Sequence, residues 1–180
     1  MTAARTLVLM RHAKAEGHAD ADELRALAPS GRRQASAAGA AMAADGLRFD
    51  AALVSAAVRT RQTWELVAQN LTGAPTPEVR EDLYDATARN ALEVLRHVDD
   101  GVATLLVLGH EPVMSSLALL LAGPGSQHLH EVRAGVPTAT RCVLTVPTSW
   151  ADLAPQSAVL TAVVRTAADS WSDSDSCSDS

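Results

Sequence analysis

The sequence predicts an α/β fold in three layers, with helices on both faces of a mostly parallel central sheet. Three observations carry that prediction. Short apolar runs alternate with longer stretches of helical character along the chain. The runs at 6–10 and 104–108 are nearly continuous rather than alternating, as in strands covered on both faces. Polar clusters holding Arg and His follow directly on the runs, where α/β sheets gather their ligands.

Each element has a local reason. Residues 6–10, Thr-Leu-Val-Leu-Met, form the first strand. The Ala-rich stretch 30–45 opens on Ser30 as an N-cap and stops at Gly46, which reads as a helix. A second strand at 51–54 precedes a helix reaching about Leu71, which Ser55 is placed to cap. Gly73, Pro75 and Pro77 break the chain before a weak strand at 78–80. Leu92, Leu95 and Val98 then give 88–98 one apolar helix face. The strand at 104–108 leads into the turn Gly109-His110-Glu111-Pro112, with Pro112 near the start of an apolar helix to Leu121. Gly123, Pro124 and Gly125 end it, and two strands follow at 139–146 and 158–165, expected to pair antiparallel.

Residues 1–168 are expected to form one domain, long enough to bury a core. Residues 169–180 are Ser/Asp-rich low complexity and are expected to be a disordered tail. Lys plus Arg number 15 against 21 Asp plus Glu, a net charge of −6 without basic runs, which argues against nucleic acid or an anionic membrane as partner. Aromatic residues are only 3%, so base-stacking platforms are not expected and the core must be aliphatic. No apolar run approaches the roughly 20 residues of a membrane span. Cys142 sits in an apolar run and Cys177 in the tail, a spacing that suggests neither a disulfide framework nor zinc. A cytoplasmic, reducing setting is expected.

The polar clusters are Arg11-His12, Ser55 to Arg59, and Gly109 to Glu111. The fold reading gathers Arg11, His12, Arg59 and His110 around one pocket. Two guanidiniums and two imidazoles make a dianion site, because forked N–H donors match phosphate oxygens. Arginines would repel a divalent cation, so no metal and no cofactor are expected. A neutral imidazole beside a bound phosphoryl group is a competent nucleophile.

These residues resemble a family. Leu7-Val8-Leu9-Met10-Arg11-His12-Ala13 is similar to the Arg-His-Gly motif of the histidine phosphatase superfamily, with its phosphoglycerate-mutase-like fold. Residues 27–35, Leu-Ala-Pro-Ser-Gly-Arg-Arg-Gln-Ala, resemble its Leu-Thr-x-x-Gly-x-x-Gln-Ala helix start. Residues 54–63, Val-Ser-Ala-Ala-Val-Arg-Thr-Arg-Gln-Thr, resemble its Ser-Ser-Pro-x-x-Arg-x-x-x-Thr segment, and Leu108-Gly109-His110-Glu111-Pro112 its second-histidine motif. The resemblance implies His12 as nucleophile, with Arg11, Arg59 and His110 holding the phosphoryl oxygens.

Ala13 stands where the family usually has Gly, and the stretch from Leu71 to Thr104 is too short for the insertion that roofs mutase-like members. Asp85 is the best-placed candidate for the glutamate acid that those members carry. The compact chain resembles the small phosphohistidine phosphatase branch, the SixA type. Its substrate would be a phosphorylated protein, such as a histidine phosphotransfer domain, or a small phosphorylated molecule. Broad phosphomonoester hydrolysis and a binding module without turnover are the alternatives. Lys14, Arg32, Arg33 and Arg61 read as solvated surface charges, and His128-x-His130 as an unconvincing metal pair.

Overall fold

The structure, a computed structural model, describes residues 4–166. The expected domain boundary at 168 and the tail with Trp171 and Cys177 lie outside the described residues. Six strands, β1 (Arg5–Arg11), β2 (Ala51–Ser55), β3 (Glu78–Arg80), β4 (Thr104–Gly109), β5 (Arg141–Val146) and β6 (Val159–Val164), form one sheet in the order β3-β2-β4-β1-β5-β6. The first four run parallel, whereas β5 is antiparallel to β1 and β6 to β5, so the sheet is mostly parallel with an antiparallel edge.

Five helices cover it: α1 (Pro29–Ala44), α2 (Val58–Ala68), α3 (Ala88–Arg96), α4 (Val113–Leu121) and α5 (Leu129–Arg133). Alternate residues of the central strands feed two separate cores. Val8, Met10, Val54, Leu106 and Leu108 pack with Ala35, Ala38 and Met42 of α1 and Trp64 of α2. On the other face Leu7, Leu9, Leu53, Leu105 and Val107 pack with Leu92 and Leu95 of α3, Leu117 of α4 and Val132 of α5. That double burial is why the strand sequences are continuously apolar; each fully buried Leu or Val stabilises the fold by roughly 1.5–3 kcal/mol. The core is mainly aliphatic, as expected, with Phe49, Trp64 and Trp150 as its large exceptions.

The predicted caps differ. Pro29 takes the first position of α1 after Ala28, so Ser30 lies inside the helix. Proline suits that position because its fixed φ is already helical and its missing N–H would go unused there. Ser55 is the last residue of β2, and Ala57 flanks α2. The side-chain cap that does form is at α3, where Thr87 accepts from the Asn90 amide. Gly46, with φ of 72°, ends α1 as expected. Helix α5 and the short 3-10 turns Asp22–Leu24 and Glu81–Leu83 were not expected, being too short to carry periodicity.

Candidate active site

The pairing of β1 with β4 sets Arg11 opposite Gly109, and the His12 amide donates to the Gly109 carbonyl at 3.0 Å. His12 and His110 therefore leave adjacent strand ends, with ring centroids 5.2 Å apart. On the other side of β4, β2 ends at Ser55, whose hydroxyl lies 2.8 Å from His110 Nε2. The first turn of α2 brings in Arg59. His12, Arg59 and His110 are all buried. Arg11 is half-buried and its Nη1 donates to the Val136 carbonyl at 2.8 Å. Nε of Arg11, Nε of Arg59 and Nδ1 of His110 are buried without a hydrogen-bond partner. Such unsatisfied groups at one strand-end crevice are what an oxyanion would engage.

The remaining motif residues hold the loop that carries His12. The Ala13 amide donates to Thr63 Oγ1 at 3.1 Å, and that hydroxyl donates to the Arg59 carbonyl at 2.6 Å. Gln34 accepts from the Lys14 amide and donates to the Thr138 carbonyl, tying the loop to the segment before β5. Gly31 lets α1 approach: a Cβ there would lie 1.9 Å from the Lys14 carbonyl oxygen, so any side chain would push the loop away. Lys14 itself is exposed, in keeping with plain surface charge.

His12 Nδ1 lies 2.7 Å from the Ala13 carbonyl oxygen. A carbonyl can only accept, so Nδ1 carries the proton and Nε2 keeps its lone pair. Burial, reinforced by the charges of Arg59, Arg11 and Arg25, lowers the His12 pKa to about 4. Burial likewise, with His12 and Arg59, lowers that of His110 to about 3. Both rings are thus neutral at neutral pH. Their folded pKa values lie below the unfolded value, so the unfolded chain binds more protons as pH falls from about 6.5 toward about 4. Stability is expected to fall through that window, by on the order of a few kcal/mol, and denaturant titrations at stepped pH would show it. An unchanged midpoint would mean that these rings are not buried neutral.

Three neighbours were not foreseen. Asp22 accepts from Arg59 Nη2 at 2.9 Å, from Arg25 Nε at 2.8 Å and from the Tyr84 hydroxyl at 2.6 Å. Its backbone carbonyl takes Arg59 Nη1 at 2.6 Å. The hydrogen bond from Tyr84, then those from Arg25 and Arg59, hold the Asp22 carboxyl well below the usual carboxylate range. Tyr84 also stands edge-on to His110, with ring centroids 5.4 Å apart. Asp85, by contrast, is exposed and lines a groove with Arg80, Asp82, Asn90, Glu93 and His97. The segment after β3 presents Tyr84 to His110, and Asp85 lines the neighbouring groove instead. A usable signal existed, since Tyr84 is the chain's one tyrosine and adjoins Asp85. Nothing comparable marks Asp22.

Among the described residues, no group of three or more His, Cys, Asp or Glu could hold a metal ion, and no helix is long and apolar enough to cross a membrane. The sequence model of the histidine phosphatase superfamily, branch 1, matches residues 7–88. An uncharacterized protein of Mycobacterium tuberculosis is 41% identical over 84% of this chain and 96% of its own length. One from Mycobacterium leprae is 34% identical over 85% and 97%. The structure of a candidate phosphohistidine phosphatase SixA from Nakamurella multipartitia superposes with a TM-score of 0.80 at 34% identity, covering 92% of this chain and 98% of that one. The protein histidine phosphatase SixA complexed with tungstate shares the fold, with a TM-score of 0.76 at 21% identity over 89% and 97% of the two chains.

Proposed function

The chain belongs to the histidine phosphatase superfamily, and from that premise we propose that it is a metal-independent phosphatase acting on phosphohistidine carried by a protein. One observation carries the choice of substrate. The carboxylate at the cluster, Asp22, is held ionised by two arginines and a tyrosine and is no proton donor at neutral pH. Expelling an alkoxide, whose conjugate acid has a pKa near that of water at ~15.7, calls for such a donor. A phosphorylated imidazole protonated on its other nitrogen releases the neutral ring, the conjugate base of an acid of pKa about 6.5, and so needs far less help.

In this reading the lone pair on His12 Nε2 attacks phosphorus. The substrate ring carries a proton from solvent on its other nitrogen, so when the bond from phosphorus breaks and its electron pair stays on the ring nitrogen, neutral imidazole departs. Water then attacks the phosphorylated His12, which regains its electron pair as inorganic phosphate departs. Arg11, Arg59 and His110 hold the phosphoryl oxygens throughout. The cationic side chains supply the charge stabilisation a divalent ion would give, and no cofactor takes part.

The test compares specificity constants on a phosphohistidine-bearing protein and a panel of small phosphoesters, each with and without EDTA. The phosphoramidate is expected to lead by at least about a hundredfold, and chelator to leave the rate intact. Asp85→Asn is expected to change neither class by more than about twofold, since an exposed side chain outside the cluster is not within reach of the leaving group. A phosphoester leading the panel, or a large loss in Asp85→Asn on esters alone, would favour a broad phosphomonoesterase. Loss with EDTA, restored by one divalent ion, would refute metal independence.

A further inference from the structure

We propose that Asp22 determines specificity: its carboxylate sets a fixed negative charge on the rim of the phosphoryl pocket and disfavours ligands bearing a second anionic group beside the phosphoryl. This rests on reading His12, Arg11, Arg59 and His110 as a phosphoryl site, but not on the leaving group being imidazole.

The placement follows from burial. The Arg59 side chain is only 5% exposed, whereas that of its partner Asp22 is 53% exposed. A phosphoryl group engaging His12, Arg59 and His110 occupies the inner end of the crevice, and its substituent extends outward to the rim. Tyr84 closes one side of that rim, edge-on to His110 and with Arg59 5.8 Å from its ring centroid. The Tyr84 hydroxyl donates to Asp22, so Asp22 continues the same rim. Its carboxylate cannot swing aside freely, because Arg25 holds Oδ1 while Arg59 and Tyr84 hold Oδ2.

A second anionic group on a substituent that reaches the rim faces this carboxylate. Two unit charges about 6 Å apart, at an effective dielectric between those of a protein surface and water, repel by an amount that weakens binding about threefold to a hundredfold, and Arg25 and Arg59 beside the carboxylate bring the effect toward the lower part of that range. A neutral substituent meets no such penalty. The rim therefore fits a phosphoryl group on an uncharged carrier, such as an imidazole ring on a protein, better than a small phosphorylated acid.

Binding of two inert probes decides the matter without relying on turnover. Phenylphosphonate carries a neutral substituent and phosphonoacetate a carboxylate; titration calorimetry measures both against wild type, Asp22→Asn and Asp22→Glu. The affinity ratio of phosphonoacetate to phenylphosphonate is expected to rise about tenfold in Asp22→Asn and to stay near wild type in Asp22→Glu, which keeps the charge. A ratio taken on one preparation is insensitive to loss of folded protein. An unmoved ratio in Asp22→Asn, an equal shift in Asp22→Glu, or no binding of either probe to all three proteins would overturn the proposal. If the ratio moves while wild type leaves a phosphohistidine-bearing protein intact, the phosphohistidine reading falls and the role of Asp22 stands.

Discussion

His12→Ala is expected to abolish turnover, by about four orders of magnitude or more, and with it an acid-labile, alkali-stable phosphoryl label. Among the described residues, the other nucleophile types near the strand ends are otherwise engaged, His110 Nε2 lying 2.8 Å from the Ser55 hydroxyl. Cys142 is buried, and burial pushes its thiol up to about 12. The His12 proton is fixed on Nδ1 by the Ala13 carbonyl, which leaves Nε2 as the attacking atom. Because burial lowers the His12 pKa to about 4, the fraction able to attack declines only as pH approaches that value, far below the ordinary histidine range near 6.5. The acid limb of kcat/KM, corrected for the substrate's own ionisation, is therefore expected near pH 4. Rapid-quench labelling of wild type beside the variant is the measurement; label surviving in His12→Ala would remove His12 from the nucleophile role.

What could be read in the sequence divides by the kind of physical signal. The central strands were legible because burial on both faces demands unbroken apolar residues, and Leu7 to Met10 and Leu105 to Leu108 supply them. Once those strands are parallel neighbours, His12 and His110 must leave the same edge, and Arg59 follows from β2, the next strand toward the β3 side of the sheet. The N-caps were not legible. Ser30 and Ser55 are good capping types, but Pro29 starts α1 one residue earlier and Ser55 is drawn into the sheet beside His110. Asp22 and Arg25 lie in a polar connection without periodicity, so only the folded chain shows that this stretch returns to Arg59. Tyr84 and Asp85 are one residue apart, and sequence chemistry favoured the acid. The 3-10 turn at Glu81–Leu83 instead buries Leu83 and brings the tyrosine to His110, leaving the acid exposed.

Arg59→Ala is expected to lower kcat by roughly a hundredfold or more, the scale of removing one preorganised donor to charge that shifts in the transition state. The guanidinium is preorganised in a specific way. Asp22 takes one N–H from each of Nη1 and Nη2, while Nε is buried without a partner. The fork is thereby fixed in orientation before any ligand arrives, and donors remain for phosphoryl oxygens. A lysine could supply the charge but neither the planar fork nor the anchoring bonds to Asp22, so Arg59→Lys is expected to recover little of the loss. Alanine also leaves the Asp22 carboxylate with only Arg25 and Tyr84, reducing the positive charge that draws in a dianion, so KM should rise as well, though less than kcat falls. Steady-state kinetics on all three proteins, with thermal midpoints as the check on folding, separate these effects. Normal kcat with a raised KM in Arg59→Ala would mean that this arginine binds ground state and transition state alike, which would place it at the rim with Asp22 rather than on the phosphoryl group.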